Sequence, residues 1–163
     1  MGKEAKTNAM RMLERAKVNY TSHEYPHEEG QAVDGAHVAQ LTGQDPAKVF
    51  KTLVTQGADR NYYVFVVPVL AELDLKKAAK SVGVKSVAMI HVADINKVTG
   101  YIRGGCSAVG MKEQYATGCD EGCRGQPTSL GSGGRIGTQI ECAPADLVKV
   151  TRGKTAAITA ENA

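Results

Sequence analysis

The chain has 163 residues, 42% of them hydrophobic and 23% charged, with a net charge of +3 at pH 7. This composition is ordinary for a soluble globular protein, so it excludes disorder over most of the length, and we expect residues 1–163 to form a single domain. A charge of +3 permits a polyanionic partner without requiring one.

The sequence carries no mark of a membrane or secreted protein. No run of eighteen apolar residues occurs, and the start, MGKEAKTNAM, lacks the apolar core of a signal peptide. We therefore expect a cytoplasmic protein that does not contact a membrane. In that compartment free thiols are the expected state of the four cysteines, which are Cys106, Cys119, Cys123 and Cys142.

Helices and strands are predicted to alternate from the start of the chain. Thr7 or Asn8 can cap an amphipathic helix, and the β-branched and aromatic residues of VNYTSHEYP predict a strand. Asp34 then predicts the cap of a helix that ends at Gly43, and Asp45 begins a shorter helix in DPAKVF. KTLVT after it predicts another strand.

The strongest strand signal is YYVFVVPV, from Tyr62 to Val69, whose continuous apolarity predicts burial on both faces. LDLKKAAKSVG predicts a helix from Asp74 to Gly83. Lys76 and Lys80 lie four residues apart on that helix, where a solvated face is the simple interpretation and contact with a phosphate backbone the alternative.

The second half continues this alternation with one exception. VADINKVTG predicts a helix that ends at Gly100, and TQIECAPADLVKV predicts a strand from Thr138 to Cys142 and then a helix. The segment from Thr117 to Gly137 holds seven glycines and predicts a long mobile loop. Strands interleaved with short helices, one or two of the strands antiparallel, predict an α/β or α+β domain around a mixed sheet.

A metal site is not predicted. Cys119 and Cys123 form C-x3-C, whereas structural zinc usually needs two closely spaced ligand pairs. His23 and His27 are separated by Pro26, which argues against both histidines lying on one helical turn. A thiol-redox or zinc protein remains an alternative that rests on the two cysteines alone.

The glycine-rich stretch GYIRGGCSAVGMK is the most informative motif. Ser107 is not predicted to be a nucleophile, because GCSAVG departs from the G-x-S-x-G elbow by one residue and follows a helix. Cys106 could be an activated thiol only if a histidine lay nearby. Gly104 and Gly105 could present N–H groups to an anion or oxyanion, or form a plain turn. Lys51 could hold a phosphate or carbonyl oxygen, or be a surface lysine.

Four blocks occur in a characteristic order: VFKTLV, LDLKKAAKSVG, TGYIRGGCSAVGMK and SGGRIGTQIECAPADLVKV. Together they resemble the YbaK/EbsC family of aminoacyl-tRNA deacylases, whose fold is shared with the editing domain inserted in bacterial prolyl-tRNA synthetases. The resemblance spans about Lys6 to Val150. It implies a mixed central sheet, partly barrel-like, surrounded by short helices, and it implies no cofactor.

The resemblance also implies an activity and a site. The family hydrolyses the ester between a wrong amino acid and tRNA, above all cysteine on the proline tRNA, because size alone discriminates poorly between cysteine and proline. Lys51 matches the active-site lysine, and Gly104 and Gly105 match the loop whose N–H groups would hold the ester carbonyl. In the cysteine-specific branch the substrate's own thiol attacks the ester and forms a thiolactone.

The remaining implied features concern binding. Tyr25, Thr52 and Ser107 match positions that line or border the family's pocket. The expected partners are aminoacyl-tRNA, with the proline tRNA first, and a complex with prolyl-tRNA synthetase; the expected state is a monomer. A deacylase for alanine on the same tRNA, or a non-catalytic module that binds aminoacyl-tRNA or regulates, remains an alternative.

Three departures from the family pattern qualify the choice of substrate. Ala108 replaces the usual proline, and Arg135 is followed by Ile136 instead of a second basic residue. The segment from Cys123 to Gly131 replaces an apolar strand, so we expect that strand to be short or the sheet edge to be mobile.

Overall fold

The computed structural model describes residues 6–28, 31, 33 and 35–160. Within these residues the chain forms five α-helices: α1 (Asn8–Arg15), α2 (Gly35–Thr42), α3 (Leu75–Val82), α4 (Ile95–Thr99) and α5 (Pro144–Thr151). It also forms eight strands: β1 (Thr21–Glu24), β2 (Phe50–Gly57), β3 (Tyr62–Pro68), β4 (Val87–Met89), β5 (Ala116–Asp120), β6 (Ser129–Arg135), β7 (Thr138–Cys142) and β8 (Lys154–Ala156). Three short 3-10 helices lie at Pro46–Lys48, Val92–Asp94 and Glu121–Gly125.

The predicted helix caps are confirmed where the structure describes them. Thr7 accepts a hydrogen bond from the N–H of Met10 at 3.2 Å and so caps α1. Asp74 accepts hydrogen bonds from the N–H groups of Lys76 and Lys77 at 2.9 and 3.0 Å and caps α3. Asp34, the predicted cap of α2, lies outside the described residues. The local signals therefore locate these two helix starts correctly.

The described strands form two sheets instead of one. The larger sheet has the order β4-β2-β3-β5-β8, and the smaller has the order β1-β7-β6. Four of the six strand pairs are antiparallel and only β3–β5 and β5–β8 are parallel, so the prediction of one or two antiparallel strands is wrong. The larger sheet is mixed, as predicted. Burial on both faces of β3 is also confirmed, because β3 is the central strand of that sheet.

The two sheets meet without closing into a barrel, which corrects the partly barrel-like expectation. An isolated parallel bridge joins Val49, next to the start of β2, to Leu130 of β6. Both residues are 1% exposed and pack in one apolar cluster with Ala39 of α2. This contact fixes the start of β2 against β6, and the chain's candidate site lies at that junction.

The prediction of a long loop from Thr117 to Gly137 is wrong, because this segment contains most of β5 and all of β6. The strand after Cys123 is also not short, since β6 has seven residues. β5 pairs with β3 and β8, and the seven-residue β6 pairs with β7 from Ser129 to Arg135. Cys119 and Cys123 are each 1% exposed and pack against Phe50. Buried thiols behave as small apolar side chains, so they supply the core contacts that the glycine-rich sequence otherwise lacks.

Candidate active site

A pocket of about 150 Å³ opens between the two sheets, beside the start of β2. Both sheets, α2 and the loop after α4 contribute to its walls. The residues that line it include Tyr25, Lys51, Thr52, Gly104, Ser132 and Gln139. Four of the six residues that the sequence analysis singled out for the site, namely Tyr25, Lys51, Thr52 and Gly104, are therefore brought together.

Lys51 supplies the positive charge of this pocket. It lies second in β2, opposite Val67 of β3, and is half-buried. Within the part of the chain that the structure describes, its ammonium makes no ion pair or hydrogen bond. A half-buried ammonium without a carboxylate partner is available to a phosphate or carbonyl oxygen of a ligand.

The Gly104–Gly105 loop is a tight turn. The N–H of Gly105 donates to the carbonyl oxygen of Ile102 at 2.9 Å, and Gly104 has a φ of +83°. This φ is the one required at the third position of a type II turn, which explains the glycine. Because the N–H of Gly105 is already bonded, Gly105 does not offer the free donor that the sequence analysis expected.

Gly105 has a packing role instead. A Cβ atom built on it would lie 2.8 Å from the Cα of Arg135 and 2.9 Å from the backbone nitrogen of Ile136. The turn thus presses directly on the connection between β6 and β7. Arg135, which lacks the basic neighbour of the family pattern, donates from Nε to the hydroxyl of Thr138 at 3.1 Å at that connection.

The donors that this loop leaves available are the N–H groups of Gly104 and Cys106. Neither makes a hydrogen bond to any residue that the structure describes, and both residues border the pocket. Backbone N–H groups aimed into a partly enclosed site can stabilise an oxyanion. Gly104 and Cys106 line the same pocket as Lys51.

The thiol of Cys106 is not activated. Burial raises its pKa to about 11, and its sulfur lies 3.9 Å from the hydroxyl of Thr99. No histidine is among the described residues that line the pocket. A thiol with this pKa is almost wholly protonated near pH 7, so it lacks the thiolate that nucleophilic attack needs.

Tyr25 closes one side of the pocket. Its ring is 7% exposed, its N–H donates to the carbonyl oxygen of Gly137 at 2.9 Å, and its ring meets that of His27 edge-on at 6.3 Å between centroids. These contacts hold the ring in place. The hydroxyl makes no hydrogen bond within the described chain and is left for a ligand.

A smaller inner cavity of about 20 Å³ adjoins the pocket. Phe50, Thr52 and Ser132 line both spaces and mark the junction between them. The inner walls are mainly apolar, and Ala108 contributes to them at the position where the family usually has proline. A space of this size accommodates about one or two small groups.

Ser107 belongs to this inner cavity and not to the outer pocket. It is 2% exposed, and its hydroxyl accepts a hydrogen bond from the N–H of Val109 at 3.1 Å. The bond fixes the loop backbone after Cys106. Ser107 is therefore placed to border a ligand's innermost group while it holds the loop in shape.

Ser132 and Gln139 are pocket residues that the sequence analysis missed. They lie directly opposite each other on β6 and β7. Opposed residues of antiparallel strands point to the same face of a sheet, so both reach the pocket. The sequence signal was present but weak: each is a polar residue within a strand whose neighbours are small or apolar.

The alternative cysteine and histidine sites are not assembled. Cys119 and Cys123 are buried in the core, and burial raises the pKa of Cys119 to about 12. His23 instead pairs with Glu141 at 2.8 Å. Within the described residues no group of three or more histidine, cysteine, aspartate or glutamate side chains could hold a metal ion. None of the described helices is long and apolar enough to cross a membrane.

The chain is thus an α+β domain with a pocket between its two sheets. Residues 29–150 match the model of the aminoacyl-tRNA editing domain. The chain belongs to this family, and it is an aminoacyl-tRNA deacylase.

Individual relatives agree with this assignment. The chain is 44% identical over 154 residues to an Enterococcus faecalis protein provisionally named Cys-tRNA(Pro)/Cys-tRNA(Cys) deacylase EbsC, covering 94% of this chain and 93% of that protein. It also superposes with a TM-score of 0.81 on a crystal structure described as a candidate trans-editing enzyme for prolyl tRNA synthetase, at 24% identity and covering 94% and 96% of the two chains. A scaffold from computational epitope grafting gives a TM-score of 0.83 at 24% identity, covering 95% and 96%. These two structures support the fold.

Proposed function

We propose that this chain removes cysteine from the proline tRNA in trans, with residues 1–163 acting as one deacylase domain. The observation that carries the proposal is that Lys51, Gly104 and Cys106 line one pocket, where the ammonium of Lys51 and the N–H groups of Gly104 and Cys106 have no partner among the residues that the structure describes. The provisional name of the Enterococcus faecalis relative, a Cys-tRNA(Pro)/Cys-tRNA(Cys) deacylase, also supports the proposal. The site of action would be the cytoplasm, where tRNA is charged.

The proposed reaction takes its nucleophile from the substrate. The thiol of the esterified cysteine attacks the ester carbonyl, the bond from that carbon to the ribose oxygen breaks, and the ribose oxygen receives the thiol proton. The products are free tRNA and a cysteine thiolactone, which water then opens. This route accounts for a pocket whose described thiol, on Cys106, is protonated.

The chain's own residues then act by orientation and electrostatics. Lys51 binds the phosphate of the terminal nucleotide or the ester's polar atoms. The N–H groups of Gly104 and Cys106 stabilise the oxyanion that forms as sulfur attacks. The inner cavity, of about 20 Å³, would accept the end of the amino-acid side chain.

The test compares two substrates with one protein. Cys-tRNA(Pro) and Ala-tRNA(Pro) are incubated with the chain, and the esterified amino acid is followed over time against the spontaneous rate. We expect loss of cysteine, a trappable thiolactone, and survival of alanine. Loss of alanine instead would move the chain to the alanine-specific branch, and tRNA binding without any deacylation would identify a non-catalytic module.

A variant pair links the activity to the pocket. Lys51→Met keeps the length of the side chain and removes its charge, and a hydrogen bond to a charged group is worth about 1.5–3 kcal/mol. We therefore expect a fall in kcat/KM of at least about tenfold. Lys80→Met, on the exposed face of α3, is the matched control and should keep full activity. Equal activity of both variants would remove Lys51 from the site.

Two partner proposals accompany this function. A domain with a net charge of +3 has little electrostatic means to select one tRNA, so we propose that prolyl-tRNA synthetase supplies the selectivity by binding the chain. We propose a monomer as the state that enters this complex. Size-exclusion chromatography with light scattering, with and without the synthetase and the tRNA, measures both.

A further inference from the structure

Gln139 contains a buried acceptor without a partner. The residue is 5% exposed, and its Oε1 makes no hydrogen bond to any residue within the described ranges 6–28, 31, 33 and 35–160. It lines the pocket together with Lys51 and Thr52. Leaving a buried polar atom unsatisfied is costly, so such an atom at a ligand pocket points to a donor on the ligand.

Two other polar side chains of β7, those of Thr138 and Glu141, have hydrogen-bond partners. On the same strand, Glu141 accepts hydrogen bonds from His23 and from Thr128 on its two oxygens. Thr138 accepts from Arg135 and donates to a carboxylate of β1. The side chains of Thr138 and Glu141 are thus satisfied by partners outside β7, whereas the buried oxygen of Gln139 has no partner among the described residues.

We propose that Gln139 accepts a hydrogen bond from the α-amino group of the esterified amino acid. This inference rests on the proposed function, because it takes the bound ligand to be an aminoacyl ester. The ester carbonyl and the phosphate of such a ligand are acceptors and suit Lys51 and the loop N–H groups. The α-amino group is the strong donor nearest the ester, and it therefore matches an unpartnered oxygen.

The position of Gln139 fits this assignment. The side chain and the amino group of an amino acid both branch from its Cα atom. If the side chain enters the inner cavity, the Cα lies near the junction that Ser132 borders, and Gln139 lies directly opposite Ser132. None of the lining residues that the structure describes carries a carboxylate. Gln139 is then the side-chain amide available to an amine at that point.

The experiment measures the preference for a substrate that carries the amine. Cys-tRNA(Pro) is compared with 3-mercaptopropionyl-tRNA(Pro), which keeps the thiol and ester and lacks only the α-amino group. We expect the unmodified chain to favour Cys-tRNA(Pro) by about tenfold in kcat/KM after correction for spontaneous hydrolysis. Gln139→Met has a similar unbranched length and no oxygen acceptor, and it should reduce that preference to about one.

Two controls separate recognition from folding. Gln56 is an exposed residue near the end of β2 and is not among the residues that line the pocket, so Gln56→Met should keep the preference. Gln139→Met should have an unchanged or higher Tm, because it removes an unsatisfied buried acceptor. A lower Tm together with an unchanged preference would identify Gln139 as a structural residue and overturn the proposal.

A binding measurement distinguishes failure of this inference from failure of the proposed function. Calorimetry uses adenosine carrying 3′-linked cysteine or 3-mercaptopropionate through an amide, which the chain cannot hydrolyse as an ester. Tenfold tighter binding of the cysteine compound, lost in Gln139→Met, supports the inference even if no deacylation occurs. Equal binding of the two compounds by the unmodified chain overturns it even if Cys-tRNA(Pro) is deacylated.

Discussion

Gly105→Ala tests how the glycine turn is held in place. The added Cβ would lie 2.8 Å from the Cα of Arg135 and 2.9 Å from both the carbonyl carbon of Arg135 and the nitrogen of Ile136. Ordinary contacts begin near 3.4 Å, so the backbone must separate by roughly half an ångström, and overpacking of this kind costs about 1–3 kcal/mol. For a chain of this length, that cost corresponds to a fall in Tm of roughly 2–12 °C.

Gly125→Ala is the matched control, because a Cβ there would meet nothing within 4 Å. Its Tm should stay equal or rise slightly, since alanine restricts the unfolded chain. Thermal unfolding followed by circular dichroism measures both variants, and deacylation is measured alongside. Gly105→Ala should also lose activity, because its turn positions the N–H groups of Gly104 and Cys106. Equal Tm values for the two variants would refute the close packing of this turn.

Two further predictions concern titratable groups. The Cys106 thiol has a pKa of about 11, so it should react with iodoacetamide at pH 7 at least about a hundredfold more slowly than free cysteine. Peptide mass spectrometry measures the rate of this modification. Comparable rates would make Cys106 a candidate nucleophile again. Hydrogen bonds from Thr128 first and His23 second hold the pKa of Glu141 below its usual value of 4.5. Their stabilisation is present above pH 4.5 and is lost as the pH falls through the lowered pKa. The Tm difference between the unmodified chain and Thr128→Val should therefore shrink from pH 6 to pH 3, and a constant difference would contradict it.

The helices were predictable because their signals are local. Thr7 and Asp74 are N-caps, and each precedes apolar residues spaced three or four apart, which bury one face of the helix. β3 was equally clear, since a run of apolar residues suits a central strand. The division of the strands into two sheets could not be predicted, because strand order depends on contacts between residues far apart in the sequence, such as Val49 and Leu130.

The error over β5 and β6 has a physical cause. Glycine and serine have low β-propensity, so a sequence such as SLGSGGR predicts a loop. In the folded chain the strand is fixed by its pairing with β7 and by the burial of Ser129 and Leu130. Tertiary contacts of this kind are invisible to a local pattern, and here they override it.

The candidate site, too, could be predicted only in part from the sequence. Resemblance to the family identified Lys51 and the glycine loop, and the structure shows which atoms of that loop are available. The hydrogen bond from Gly105 to Ile102 could not be predicted, because glycine composition does not reveal which N–H a turn consumes. Gln139 was missed because a polar residue in a strand ordinarily indicates the solvent-facing side, whereas here a pocket covers that side.

The two proposals give different tasks to the two walls of the pocket. Lys51 and the loop N–H groups would bind oxygen atoms of the ligand, whereas Gln139 would accept a hydrogen bond from a ligand donor. An aminoacyl ester has both kinds of group within a few bonds, so one bound orientation satisfies both walls. In the proposed orientation the amino-acid side chain would enter the inner cavity, and its thiol would attack its own ester from there. Specificity for cysteine would then follow from chemistry at this position, because an alanine side chain fits the same space and has no nucleophile.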